Sequence, residues 1–170
     1  MRLILFVCTG NSCRSVMAKA ICEQLLKTRH LHGSDPTVRE PSRRMFVLSA
    51  GVAAAEGMSA TFETRSVLRN NGMDISGHRA VRLTDEMIRQ AEHIFVMETS
   101  HKEEIVKRVP EAESKVHFLR TFGLDTATTQ DSSVLDPIGK PLEVYEVCFT
   151  TIKEAVERVV KYLEATCESR

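Results

Sequence analysis

Three observations predict an α/β fold in which a parallel sheet is covered on both faces. Short apolar runs alternate with stretches of helical periodicity along the chain. The runs are nearly continuous in apolar residues, as strands buried on both faces require. The 170 residues, 42% hydrophobic and 27% charged, are enough for one core and too few for two comfortable ones. The chain therefore reads as a single domain over residues 1–170.

Leu3-Ile4-Leu5-Phe6-Val7 is the first strand. Met17, Ala20, Ile21, Leu25 and Leu26 recur at helical spacing and predict a helix from about Ser15 to Thr28 that packs on it. Residues 30–44 carry Gly33, Pro36, Pro41 and the pair Arg43-Arg44; the segment is polar and broken and reads as a loop with a solvated basic surface. Phe46-Val47-Leu48 forms a second strand ending at Ser49-Ala50-Gly51, and Ala60 to Asn71 forms a helix closed by Gly72. Thr84 caps a helix reaching Ala91 with Met87 and Ile88 inward, before the strand His93 to Met97. Ser100 to Val109 is helical and Lys115 to Leu119 is a strand. Glu143 to Thr166 is a long amphipathic helix that turns Val144, Val147, Ile152, Val156, Val159, Val160 and Leu163 inward. In such sheets ligands bind beyond the carboxyl ends of the strands.

The first of those ends carries the chemistry. Cys8-Thr9-Gly10-Asn11-Ser12-Cys13-Arg14-Ser15 joins the first strand directly to the first helix. Free backbone N–H groups and the positive end of the helix dipole point at the Cys8 sulfur, and the same geometry collects anions. Arg14 offers a bidentate fork to phosphoryl oxygens. Gly10 permits close backbone approach, Asn11 tolerates a left-handed conformation, and Ser15 brings a hydroxyl to the sulfur. The competing reading, a buried structural Cys8 with a surface Arg14, gives none of these neighbours a task.

Composition narrows the classes. Lys+Arg and Asp+Glu are both 23, so no global field draws the chain to nucleic acid or anionic lipid. No segment approaches the roughly 18 to 20 apolar residues of a membrane span, and Leu3 to Val7 lacks the length and cleavage pattern of a signal peptide. We expect a cytoplasmic monomer. Five cysteines at irregular spacing do not form an extracellular disulfide framework. Cys8 and Cys13 lie just beyond the usual spacing of paired zinc ligands, and His30 and His32 sit on a separate segment with no second cysteine pair, so no metal site is expected.

Val7 to Ser15, then Ser49-Ala50-Gly51, then Ser76-Gly77-His78 and finally Asp136-Pro137 together resemble the low-molecular-weight protein tyrosine phosphatase family over nearly the whole chain. The resemblance implies a three-layer domain with a central four-stranded parallel sheet, no metal and no organic cofactor. Its partners are then phosphorylated proteins, with phosphate or other oxyanions in the loop. The stretch around 34–44 is longer than the family pattern and has no assigned role.

By the same resemblance, Cys8 attacks phosphorus to give a phosphocysteine and Asp136 acts first as general acid and then as base for the hydrolytic water. Arg14 holds the equatorial oxygens and Ser15 stabilises the departing thiolate. Asn11, Ser15, Ser49 and His78 form a supporting hydrogen-bond network, with His78 structural. Taken alone, Ser49 and His78 are ordinary loop residues, and Asp136 before Pro137 is equally a turn residue. Cys13 resembles the loop cysteine that forms a reversible disulfide with the nucleophile; a small core residue is the other reading. Cys22, Cys148 and Cys167 read as structural or incidental.

Tyrosine-type members follow the Asp-Pro pair with aromatic residues and carry another aromatic on the opposing loop. Here Ile138-Gly139 follows Pro137, and the opposing loop reads Val52-Ala53-Ala54-Ala55. At the position of Ser12 the tyrosine-type members have an aliphatic residue and the bacterial protein arginine phosphatases a threonine, whose hydroxyl can bond a guanidinium. The stretch 136–145 also looks closer to the arginine type. Ser12 and Ile138 thus point to phosphoarginine, with phosphotyrosine as the alternative. Two further readings rank lower: a thiol-coupled arsenate reductase, which needs a further cysteine to reach the site, and a non-catalytic phosphate-binding module.

Overall fold

The computed structural model describes residues 2–32, 34, 44–125 and 131–168. The elements run β1 (Arg2–Cys8), α1 (Arg14–Thr28), β2 (Met45–Gly51), α2 (Phe62–Asn70), α3 (Asp85–Gln90), β3 (His93–Val96), α4 (Thr99–Arg108), a 3-10 segment (Pro110–Lys115), β4 (Val116–Phe118) and α5 (Leu142–Glu168). The four strands form one parallel sheet in the order β2-β1-β3-β4. The chain leaves β1 towards one edge and returns on its other side at β3, so the carboxyl end of β1 is the topological switch point. Cys8 is the last residue of that strand.

β1 is buried along its whole length and serves both faces in alternation. Ile4, Phe6 and Cys8 join a core with α1 and α5, while Leu5 and Val7 join a second core with Ile88, Ile105 and Val116. Burying each large apolar side chain contributes roughly 1.5–3 kcal/mol, so β1 anchors the sheet from its centre. Its register with β2 places Cys8 beside Gly51, and with β3 places Val7 beside Val96.

The predicted elements fall where the pattern put them, with shifted ends. Thr84 caps α3 by accepting from the Met87 N–H. α2 begins after Thr61, which accepts from the Thr64 N–H, and its end is closed by Gly72 at φ 77. The expected inward stripe of α5 is wrong at its first turns. Val147 is 62% exposed, and Tyr145, Cys148 and Phe149 are buried in its place. Five apolar or near-apolar residues crowd positions 144–149, so spacing alone leaves the register open there; the loop packed on that turn decides it. Residues 33 and 35–43 of the 30–44 segment lie outside the described residues. No helix among those described is long and apolar enough to cross a membrane.

Candidate active site

The phosphate loop is drawn round the Cys8 sulfur. The Asn11 backbone N–H donates to Cys8 Sγ at 3.3 Å, and Ser15 Oγ stands 2.9 Å from the same sulfur. Cys8 is 3% exposed and is a free thiol, as is Cys13. α1 starts at Arg14 with no side chain capping its first turn, which leaves amide N–H groups for an anion.

Asn11 holds the turn in shape. Its φ of 52° is left-handed, a region asparagine tolerates. Its Nδ2 donates to Ser15 Oγ at 2.9 Å and Ser49 Oγ at 3.0 Å, while its Oδ1 accepts from the Val81 N–H at 2.9 Å. Its carbonyl lies 2.9 Å from His78 Nε2. A carbonyl only accepts, so that nitrogen carries the proton. Burial lowers the pKa of His78 against the opposing effect of this bond, and the ring fits a neutral, structural donor. The expected network of Asn11, Ser15, Ser49 and His78 is therefore assembled in the fold.

Gly51 lets β2 touch this turn. A Cβ there would stand 2.5 Å from Thr9 O, 2.8 Å from Asn11 N and 2.9 Å from Gly10 C. Only glycine fits that approach.

Arg14 is 2% exposed and fully engaged. Nη1 donates to Glu98 Oε2 at 2.9 Å and to Val134 O at 3.1 Å; Nη2 donates to Asp136 Oδ2 at 2.7 Å and to Thr9 Oγ1 at 3.5 Å. Two carboxylates thus balance a buried cation that neither could leave unpaired without a large penalty. Burial raises the pKa of Glu98, but hydrogen bonds from Arg14 and Ser100 outweigh it and hold the carboxyl below its ordinary range.

Asp136 arrives on a loop pinned at two points. The Val134 N–H donates to Met97 O at 2.7 Å, and the Cys148 thiol donates to Leu135 O at 3.5 Å. Asp136 Oδ1 then accepts from the Ile138 N–H at 3.2 Å, shaping the turn around Pro137. Cys148 is therefore no incidental helix residue. Burial pushes its pKa up to about 12, so it remains a thiol and serves as a donor.

Ser12 and Cys13 form the wall towards α2 and α5. Ser12 Oγ lies 3.6 Å from Cys13 Sγ, and the Ser12 carbonyl accepts from the Thr61 N–H at 3.2 Å. Cys13 Sγ lies 3.6 Å from Thr61 Oγ1 and donates to Tyr145 Oη at 3.8 Å. Phe62, next after Thr61, is 70% exposed, and Ile138, two residues after Asp136, is 57% exposed.

Glu98, His101, Thr61, Tyr145 and Phe62 were not foreseen. Glu98 and His101 carry no local motif beyond ordinary polar residues at a helix start; only the return of β3 beside β1 brings them to Arg14. Among the described residues no group of three or more His, Cys, Asp or Glu side chains is placed to hold a metal ion.

Comparison with known proteins accords with this geometry. Residues 3–169 match the family described as low molecular weight phosphotyrosine protein phosphatase. A protein-arginine-phosphatase of Geobacillus stearothermophilus is 38% identical over 95% of each chain. A probable low molecular weight protein-tyrosine-phosphatase of Ralstonia nicotianae is 32% identical over 96% of this chain and 97% of its own. A solved structure of the YwlE arginine phosphatase, a mutant with a phosphorylated active-site serine, superposes with a TM-score of 0.80 at 28% identity, covering 95% of each chain. The chain belongs to the low molecular weight phosphotyrosine protein phosphatase family.

Proposed function

We propose that this phosphatase hydrolyses phosphoarginine in proteins through a phosphocysteine on Cys8. The observation that carries the chemistry is the convergence of the Cys8 sulfur, the Arg14 fork and the Asp136 carboxylate on one loop, with Arg14 bonded directly to Asp136. Asp136 occupies the Nη2 edge of Arg14. An incoming phosphoryl group competes for that edge and releases the carboxyl, while Glu98 and Val134 O hold the Nη1 edge in place. The Cys8 thiol loses its proton to solvent and the freed Asp136 carboxylate takes one up. Cys8 Sγ then attacks phosphorus in line; the S–P bond forms, the P–N bond breaks, and Asp136 passes its proton to the leaving guanidine. A water attacks the phosphocysteine with Asp136 as base, the S–P bond breaks, and phosphate leaves. Ser15 Oγ and the Asn11 N–H receive the returning thiolate.

The leaving group is argued from the rim. Ile138-Gly139 follows the Asp136-Pro137 pair and the opposing loop reads Val52-Ala53-Ala54-Ala55, so the aromatic walls that a phenyl ring would need are missing, and Ser12 offers a hydroxyl to a guanidinium. The likeness to the arginine phosphatases supports the same reading. One observation favours phosphotyrosine instead: Phe62 places an exposed aromatic ring one residue from the bond between Thr61 and Ser12. Comparison of kcat/KM on phosphoarginine and phosphotyrosine peptides separates the two. Wild type is expected to prefer phosphoarginine, Ser12→Thr to keep the preference, and Ser12→Ile to shift the ratio by about tenfold, the worth of one hydrogen bond to a charged group. A strong phosphotyrosine preference that neither substitution alters, and that Phe62→Ala abolishes, establishes the second reading.

A further inference from the structure

His101 on α4 is a fully buried polar side chain. Its Nε2 lies 2.9 Å from Thr9 Oγ1, inside the phosphate loop, and 3.5 Å from Glu98 Oε1. Its Nδ1 is the one buried side-chain nitrogen or oxygen among the described residues with no hydrogen-bond partner. An unpaired buried nitrogen is a cost that packing alone has no reason to retain.

The tautomer follows from the neighbours. A bare lone pair on Nε2 would face the Glu98 carboxylate, whereas an Nε2–H donates to Thr9 and lies favourably against Glu98. Burial, with Arg14 nearby, drives the pKa of the ring down to about 4 against the pull of Glu98 and Asp136, so the second nitrogen carries no proton and no added cation competes with Arg14. Thr9 Oγ1 then receives two N–H groups, from His101 and from Arg14 Nη2. Both lone pairs are occupied, and the hydroxyl has only its proton to offer.

We infer that His101 is a positioning residue that turns Thr9 into a fixed hydrogen-bond donor to the transferring phosphoryl group. Arg14 Nη2 is shared between Asp136 Oδ2 and Thr9 Oγ1. A phosphoryl oxygen that replaces Asp136 there lies beside the Thr9 hydroxyl and accepts its proton in a hydrogen bond. The donor is oriented before substrate arrives, so it costs no reorganisation as charge redistributes over the equatorial oxygens. This inference rests on phosphoryl transfer to Cys8 and is independent of whether arginine or tyrosine leaves.

Two measurements test it. The first is a double-mutant cycle on a small aryl phosphate. His101→Leu is expected to lower kcat about tenfold with KM within about twofold, and to cost less than about twofold in the Thr9→Val background. His101→Gln, which keeps an N–H at the same reach, restores most of kcat when Thr9 is present and has no effect when it is absent. Equal losses in both backgrounds, or a loss confined to KM, overturn the inference. The second needs no variant: long-range proton–nitrogen NMR of wild type reads the His101 tautomer, and a proton on Nδ1 rather than Nε2 overturns it. Quenched-flow detection of the phosphoenzyme keeps the two failures apart. A wild type that forms no phosphocysteine refutes the phosphoryl-transfer reading, whereas one that forms it without coupling between Thr9 and His101 refutes only the role of His101.

Discussion

Gly51→Ala should disable the site without touching a reacting group. The added Cβ would stand 2.5 Å from Thr9 O, where ordinary contact begins near 3.4 Å, so about 0.9 Å of movement is needed. Gly51 cannot supply it by retreating. Its N–H donates to Val81 O at 2.9 Å and its carbonyl accepts from the Leu83 N–H at 2.9 Å, which fixes it from the far side. The neighbours at risk are all backbone atoms of the phosphate loop, so the loop moves away from the Cys8 sulfur. A misplacement near 1 Å in a catalytic arrangement costs on the order of 10²-fold, and overpacking costs about 1–3 kcal/mol of stability, or roughly 2–4 °C in Tm per kcal/mol at this length. Initial rates on an aryl phosphate, with thermal melts, measure both. Gly77→Ala is the control, because a Cβ there meets nothing within 4 Å. Retention of kcat/KM within about threefold and an unchanged Tm for Gly51→Ala would refute the claim that close strand-to-loop contact shapes the cradle.

Two further outcomes are expected. The folded pKa of His101 lies near 4, below its ordinary 6.5, so the unfolded chain binds more protons between those values. Stability is complete above pH 6.5 and falls as pH drops towards 4, by an amount on the order of 3 kcal/mol from this group. Urea unfolding at pH 7 and 4.5 should show a shallower loss for His101→Gln, and an identical loss would contradict the assignment. Hydrogen peroxide should oxidise the Cys8 thiol to a sulfenic acid, releasing water, and the Cys13 thiol then displaces a second water to close a disulfide. Inactivation that dithiothreitol reverses in wild type, but not in Cys13→Ser, is the expected result; equal recovery of both would remove Cys13 from that role.

How much of this was legible beforehand depended on whether the signal was local. Cys8, Arg14 and the turn between them announce themselves because strand, loop and helix follow within one short stretch, and each residue type has a physical task there. Ser49, His78 and Asp136 lie far apart in sequence, and their roles came only from the family pattern; the fold then joins the first two through Asn11 and the third through Arg14. Glu98 and His101 escaped notice because a glutamate and a histidine at a helix start are ordinary residues. Their meaning arises when parallel pairing sets β3 beside β1 and brings α4 under the loop. Spacing alone turns Val147 inward because the first turns of α5 are apolar on more than one side. The Leu135 carbonyl, which takes the Cys148 thiol, and the contact of Tyr145 with Cys13 select the other face.

The most direct test of the account is to mix the wild-type chain with a phosphoarginine peptide, quench within the first turnover and locate the phosphoryl group by mass spectrometry. The account predicts a phosphoryl adduct on Cys8, absent from Cys8→Ala and accumulating when Asp136→Asn slows its hydrolysis. Turnover with no adduct on Cys8, or an adduct that forms only from a phosphotyrosine peptide, would contradict it.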